Sequence, residues 1–197
     1  MGHRFADLAF TDRVRAIQEQ AGSRASYARL EGGAPHHDRL DPTEADFLAV
    51  RDSFYLATVS ETGWPYVQHR GGPPGFLKVL GERTIGFADF RGNRQYVSLG
   101  NLGGDDRVSL ILVDYPRRRR LKIMGHAKAV DDAATVARLS VPGYPAKVER
   151  GLLIEVAAFD WNCPQHLTPR FSEAEIVAAV APLRARIAEL EARLAAR

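Results

Sequence analysis

The stretch Phe54–Arg70, FYLATVSETGWPYVQHR, decides how this chain reads. Two runs rich in β-branched and aromatic residues, FYLATVS (54–60) and WPYVQHR (64–70), flank Glu61-Thr62-Gly63, and Gly63 supplies the positive φ that a tight connection requires. That pattern predicts a β-hairpin. It recurs downstream as GFLKVL (75–80), GER (81–83) and TIGFAD (84–89), and again as RVSLILVDYP (107–116) followed by RRLKIMGHAKAVD (119–131). In the last run Leu121, Ile123 and Gly125 alternate with Arg120, Lys122 and Met124, the period of a half-buried strand. LLIEVAAFDW, from near Gly151 to Trp161, adds a late strand. Six or seven antiparallel strands with few helices predict a mainly β fold, a small β-barrel or sandwich with flanking helices, and argue against a parallel α/β sheet.

Helices flank this β region. NRQYVSLGNL (93–102) and DDAATVARLS (131–140) read as short helices between strands, and DPTEADFLAVRDS (41–53) as a helix that Thr43 would cap, with Phe47, Leu48 and Val50 on its apolar side. Residues 1–42 form an N-terminal extension in which Thr11 could cap a short helix through Gln20; it is expected to wrap over the β domain at 43–171. Residues 172–197 read as a long amphipathic helix. Ser172 and Glu175 form a capping box, and Ile176, Val180, Leu183, Ile187, Leu190 and Leu194 recur at alternating spacings of four and three. Such a stripe demands burial, either in its own chain or in a two-chain seam. Pro182 should kink or divide the helix.

Composition excludes several classes. A chain of 197 residues, 45% hydrophobic, suffices for one well-cored domain. One cysteine, Cys163, rules out an intramolecular disulfide framework and a Cys-rich zinc site. No apolar run approaches the roughly 20 residues of a membrane helix, and MGHRFADLAF lacks the apolar core of a secretory signal, so a soluble cytoplasmic protein is expected. A net charge of +3 falls short of the basic excess that would point to nucleic acid.

Two clusters carry candidate chemistry. HRGGPPGFLKV (69–79) combines Arg70, a fork for a phosphate, with glycines that let backbone amides approach an anion; an ordinary Gly-Pro loop is the alternative. DFRGNRQYVSLGN (89–101) sets Arg91, Asn93 and Arg94 before a helix start, with Ser98 one turn in, where free N–H groups collect anions; solvated surface arginines are the alternative. The run Arg117–Arg120 reads as a charged hairpin tip, Cys163 as a quiet thiol, and His36-His37 as a polar loop lacking further metal ligands. No dinucleotide fingerprint, P-loop or zinc-protease motif is present.

In their order, VQHRGGPPGFLKV, FRGNRQYVSLGNL, DDRVSLILV, RRRRLKIMGHAKAV and FDWNCPQHLTPRF resemble the pyridoxamine 5'-phosphate oxidase-like, FMN-binding split-barrel family over about residues 43–171. The resemblance implies a split β-barrel that dimerises and holds FMN at the subunit interface. It implies that Arg70 and the adjoining Gly71 hold the FMN phosphate and that Lys78 ends a strand facing the flavin. Asn93, Arg94, Gln95 and Ser98 then serve the phosphate and ribityl chain. Arg120 stands where the family commonly places a glutamine near the flavin, and Trp161 and Arg170 match a pair that reaches FMN from the partner subunit. Before the final arginine, members that oxidise pyridoxamine phosphate carry Arg-x-His; this chain has His166 and Thr168 there, a poorer phosphate clamp, so the resemblance points away from the vitamin B6 enzyme itself.

The function so implied is an FMN-dependent oxidoreductase. It would pass hydride or electrons between a small organic substrate or NAD(P)H and an acceptor such as oxygen, with His166 as candidate acid or base and no metal, membrane or nucleic-acid partner. Alternatives are a non-catalytic protein of the same fold that binds flavin, haem or deazaflavin, and a nucleic-acid binder using Arg117–Arg120.

Overall fold

The computed structural model describes residues 2–196; Met1 and Arg197, at the ends of the two flanking segments, lie outside the described residues. The N-terminal extension folds as β1 (Gly2–His3), α1 (Arg4–Ala9), α2 (Asp12–Gln20), α3 (Arg24–Tyr27), a 3-10 turn (Ala28–Leu30) and β2 (Pro35–His36). Thr11 caps α2, its hydroxyl accepting the Val14 N–H. Ala6 of α1 is buried, and Lys122 and Asp160, both on the sheet, contact Phe5 and His3, so the extension packs over one end of the barrel.

The next helix, α4 (Pro42–Ala49), starts earlier than its sequence predicts. Asp41, not Thr43, is the cap. Pro42 occupies the first helical position, where its fixed φ suits a helix and its missing N–H costs nothing, so the cap moves one residue ahead of it. The Asp41 carboxylate accepts from Thr43 N at 2.6 Å, and Glu44 accepts from Asp41 N at 3.2 Å.

Seven antiparallel strands follow: β3 (Ser53–Val59), β4 (Pro65–Gly71), β5 (Lys78–Gly81), β6 (Thr84–Phe90), β7 (Arg107–Asp114), β8 (Arg119–Val130) and β9 (Val148–Asn162). Their order in the sheet is β4-β3-β7-β8-β9-β6-β5. All three expected hairpins form, and long β9 joins the halves by pairing with both β8 and β6. The result is a split barrel with flanking helices. Leu121 and Ile123 point inward and are fully buried, facing Leu110, Leu112, Ile154 and Val156 in one core. Burial of each such side chain contributes about 1.5–3 kcal/mol. Phe54 stacks on Phe76 and meets Phe87 edge-on at a centroid distance of 5.2 Å.

The strand predicted from Gly75 begins only at Lys78. Gly75 adopts φ +80 and Phe76 N–H returns to Pro73 O, a turn that drops Phe76 and Leu77 into the core. Gly72 lies under the Phe76 ring, where a Cβ would come within 2.7 Å, so packing alone accounts for glycine there. Between strands, α5 (Val97–Gly104) and α6 (Ala133–Leu139) replace the two expected short helices; α5 starts four residues late because Arg94 and Tyr96 are left-handed.

The C-terminal helix α7 (Glu173–Ala195) carries the expected Ser172–Glu175 capping box. One arm of each expected alternative is excluded there. Pro182 does not divide it: the loss is one backbone hydrogen bond, and on an exposed helix water can satisfy the freed carbonyl. Nor does the chain bury the stripe, for Ile176, Leu183, Ile187, Leu190 and Leu194 are all exposed. Among the described residues, no helix is long and apolar enough to cross a membrane.

Candidate functional site

Alternation along β4 turns Gln68 and Arg70 toward the same side, where β6 supplies Asp89 and β9 supplies Arg150, its cross-strand neighbour. Arg70 Nη1 donates to Asp89 Oδ1 at 2.8 Å, and Arg150 Nε lies 3.5 Å from Asp89 Oδ2. Burial pushes the Asp89 carboxyl above its ordinary range, against the pull of both arginines. One residue before Arg150, Glu149 accepts from Arg91 Nε at 2.7 Å and from the Tyr96 hydroxyl at 3.0 Å; the Arg91 bond chiefly holds its pKa down. Arg94 Nε donates to the Tyr96 oxygen at 3.3 Å, and the Arg150 guanidinium lies 5.3 Å from the Tyr96 ring centre.

Four guanidinium groups thus surround two carboxylates; of these, Arg70, Arg94, Asp89 and Glu149 line a small cleft with Asn93 and Tyr96, while Arg91 and Arg150 pair with the two carboxylates from outside its lining. The Nε–H groups of Arg70 and Arg150 are buried with no acceptor among the described residues. At the lip, Arg94 and Tyr96 hold φ of +62 and +55, conformations costing about 1–2 kcal/mol each for side chains of this kind. Tyr96 stands at the N-cap of α5 without a side-chain cap bond, so the first N–H groups of that helix remain available beside Arg94. Paired arginines, orphaned donors and an uncapped helix start are features that suit an anion.

Of the residues singled out in the sequence, Arg70, Asn93, Arg94 and Ser98 line this cleft, and Gly71 lines a contiguous one with Phe76 and Phe87. Asn93 also shapes the turn by accepting Gln95 N–H, and Ser98 is buried, donating to Gln68 at 2.9 Å. The remaining residues lie elsewhere. Lys78 opens β5 opposite Gly86, and Gln95 is exposed outside the cleft lining. Arg120 donates to the Cys163 and Gln165 carbonyls, fixing the loop after β9. The Trp161 indole N–H donates to Glu44 at 2.6 Å within its own chain, its ring edge-on to Phe47 and under Arg119. Arg170 covers Tyr115, and His166 sits left-handed and exposed in the loop beyond β9. Arg117 pairs with Asp114, so the arginine run is tied partly into the fold. Sequence reasoning passed over Asp89, Tyr96, Glu149 and Arg150. A carboxylate inside the apolar run GFADF was the available signal for Asp89.

Residues 40–152, more than half of the chain, match the pyridoxamine 5'-phosphate oxidase family, and the chain belongs to it. Among solved structures it is similar to HupZ of Group A Streptococcus, at 12% identity and a TM-score of 0.51 over 67% of this chain and 100% of that one. An FMN-binding protein from Syntrophomonas wolfei subsp. wolfei gives 10% identity and a TM-score of 0.47 over 77% and 97% of the two chains. A Clostridium acetobutylicum protein of the pyridoxinephosphate oxidase family, related to general stress protein 26 of B. subtilis, gives 17% and 0.45 over 68% and 95%. No curated protein matches the chain in sequence.

Proposed function

We propose that the arginine-lined cleft holds the phosphate of flavin mononucleotide and that the protein is an FMN-dependent oxidoreductase. The charge of the whole cluster supports this reading: with Arg91 and Arg150 engaging the two carboxylates, Arg70 and Arg94 in the lining are left to balance a phosphate monoester of about −1.5 to −2 charge at neutral pH. The buried Nε–H groups of Arg70 and Arg150 supply donors without acceptors, and α5 adds its first amides. When bound, the flavin supplies hydride or electron transfer between a small organic substrate or NAD(P)H and an acceptor such as oxygen. Arg70 and Arg94 grip the phosphate, Asp89 holds Arg70 in place beforehand, and Tyr96, locked by Glu149, fixes the turn that aims Arg94. Trp161 and Arg170 lie outside this cleft, so any contact they make with its flavin comes from a second copy, in a homodimer with the cofactor at the interface.

Absorbance spectroscopy of the purified protein, with mass spectrometry of what denaturation releases, tests the reading. Bound or readily acquired FMN is the expected result; colourless protein that takes up no added FMN overturns it. Turnover of NADH or NADPH by the flavin-loaded protein supports the oxidoreductase assignment, and binding without turnover for any electron donor overturns that part alone.

A further inference from the structure

A second cavity lies elsewhere, about 420 Å³ and partly open to solvent, between the N-terminal extension and the ends of β8 and β9. Asp160 at this end and Arg150 in the arginine cleft are ten residues apart on β9, roughly 33 Å at about 3.3 Å per residue. Its walls on the extension side come from residues preceding the family match, which starts at residue 40. We propose that this cavity binds a small aromatic carboxylate.

Shape and chemistry both point there. The walls are rings, Phe5, Phe10, Tyr27 and Trp161, which suit a flat aromatic guest, and the volume fits a small molecule. Among these rings converge polar groups whose acceptors are already engaged. Asp160 receives Lys122 Nζ at 2.7 Å on one oxygen and lies 3.4 Å from His3 Nε2 on the other. The oxygen of Gln18, a side chain only 8% exposed, receives Arg24 Nη1 at 3.0 Å. What Lys122 and Gln18 have left are donors, beside the amide of Asn162, which also lines the cavity. An ammonium carries three N–H groups, so Lys122 has two beyond its bond to Asp160, and the Gln18 amide nitrogen completes the set. The Lys122 nitrogen lies 4.5 Å from the Phe5 ring centre, joining cation to aromatic wall. A guest that fills this space brings acceptor oxygens on a ring, and the two spare Lys122 N–H groups form charge-assisted bonds to a carboxylate, the strongest such acceptor. The Gln18 oxygen ties α2 to α3 through Arg24, and its amide nitrogen is the part of the side chain left for a guest.

The chain carries its own reporters. Cys163, the sole cysteine, lines the cavity and is exposed, and Trp161 lines it too, while Trp64, the other tryptophan, is 74% exposed on the barrel. In Trp64→Phe protein, benzoate should quench Trp161 emission and slow alkylation of Cys163 with the same half-saturation, at least tenfold below that for acetate or benzyl alcohol. Lys122→Gln should weaken benzoate at least tenfold and Gln18→Leu about threefold. If Lys122→Gln does not fold, the Gln18→Leu shift and the wild-type preference for benzoate over acetate and benzyl alcohol decide the matter. No saturable benzoate effect up to tens of millimolar, equal binding of the three probes, or unchanged affinity in the folded variants overturns the proposal. An Arg70 variant that loses FMN yet keeps benzoate affinity separates this site from the flavin reading.

Discussion

The two ends of β9 solve the problem of buried charge in opposite ways. Around Arg150 the sheet gathers four guanidinium groups about two carboxylates, with the buried Nε–H groups of Arg70 and Arg150 left without hydrogen-bonded acceptors. Around Asp160 the charges cancel: Lys122 and His3 both address one carboxylate under a roof of aromatic rings. The first end is built wholly from residues inside the family match and the second partly from the extension. One strand thus carries an arginine-rich cleft inside the family match at one end and a pocket shared with the extension at the other.

The sharpest way to break the comparison is to break the strand pair both ends share. At Gly125 on β8 the register shifts, and a Cβ would stand 2.4 Å from the Glu155 carbonyl oxygen. Backbone cannot yield as a flexible side chain does. Gly125→Ala should cost about 3 kcal/mol, and FMN and benzoate binding should fall together as the melting temperature drops by about 6–12 °C. A variant that melts like wild type would show that the strands tolerate a closer approach than their register implies.

Substitution at one end should spare the other. Arg70→Gln combined with Asp89→Asn removes the pair without leaving a buried charge alone, and it should weaken FMN by about 2 kcal/mol, roughly thirtyfold. Benzoate affinity should stay unchanged. Trp161→Phe keeps the ring but deletes the N–H donor to Glu44, at a cost of about 1.5 kcal/mol in unfolding free energy measured with urea. Glu44 is itself held above the ordinary carboxylate range, first by burial and then by Asp41, so it has few other ways to satisfy that oxygen.

The sheet was legible because its signals are local. Gly63 between two alternating runs names a hairpin whatever surrounds it, and the alternation of Leu121 and Ile123 against Lys122 names the buried face. Arg70 and Arg94 were legible as candidates because each stands beside glycine or a helix start, and the fold brings them to one cleft. Arg150 and Glu149 were not, since VERG reads as the polar edge of a strand until β9 is laid against β6 and brings Arg150 opposite Asp89. Trp161 carries a pairing the sequence hides: its N–H is engaged 117 residues upstream in sequence, which no local pattern encodes. The cavity under the extension escaped for the same reason: Gln18, Lys122 and Asp160 meet only once the chain has folded over itself.

The smallest effect sharpens the comparison most, because the two ends should titrate with opposite sign. Burial, followed by the nearby His37, lowers the His3 pKa, against the pull of Asp160 and Asp7. The folded state therefore resists protonating His3, and the stability it contributes is present above its unfolded value of about 6.5 and lost as pH falls through it. Asp89 is raised by burial despite Arg70 and Arg150, with Glu149 adding to the rise, so the folded state takes up its proton first. Stability at that site grows as pH falls toward the unfolded carboxylate value of about 3.9. Melting temperatures of wild type, His3→Gln and Asp89→Asn across pH 4–8 separate the two. The wild-type advantage over His3→Gln should shrink on acidification from pH 7 to 5.5, and its deficit or advantage relative to Asp89→Asn should move in its favour below about pH 5. Parallel curves would mean that neither buried group senses its end of the strand, and the contrast between balanced and surplus charge would lose its footing.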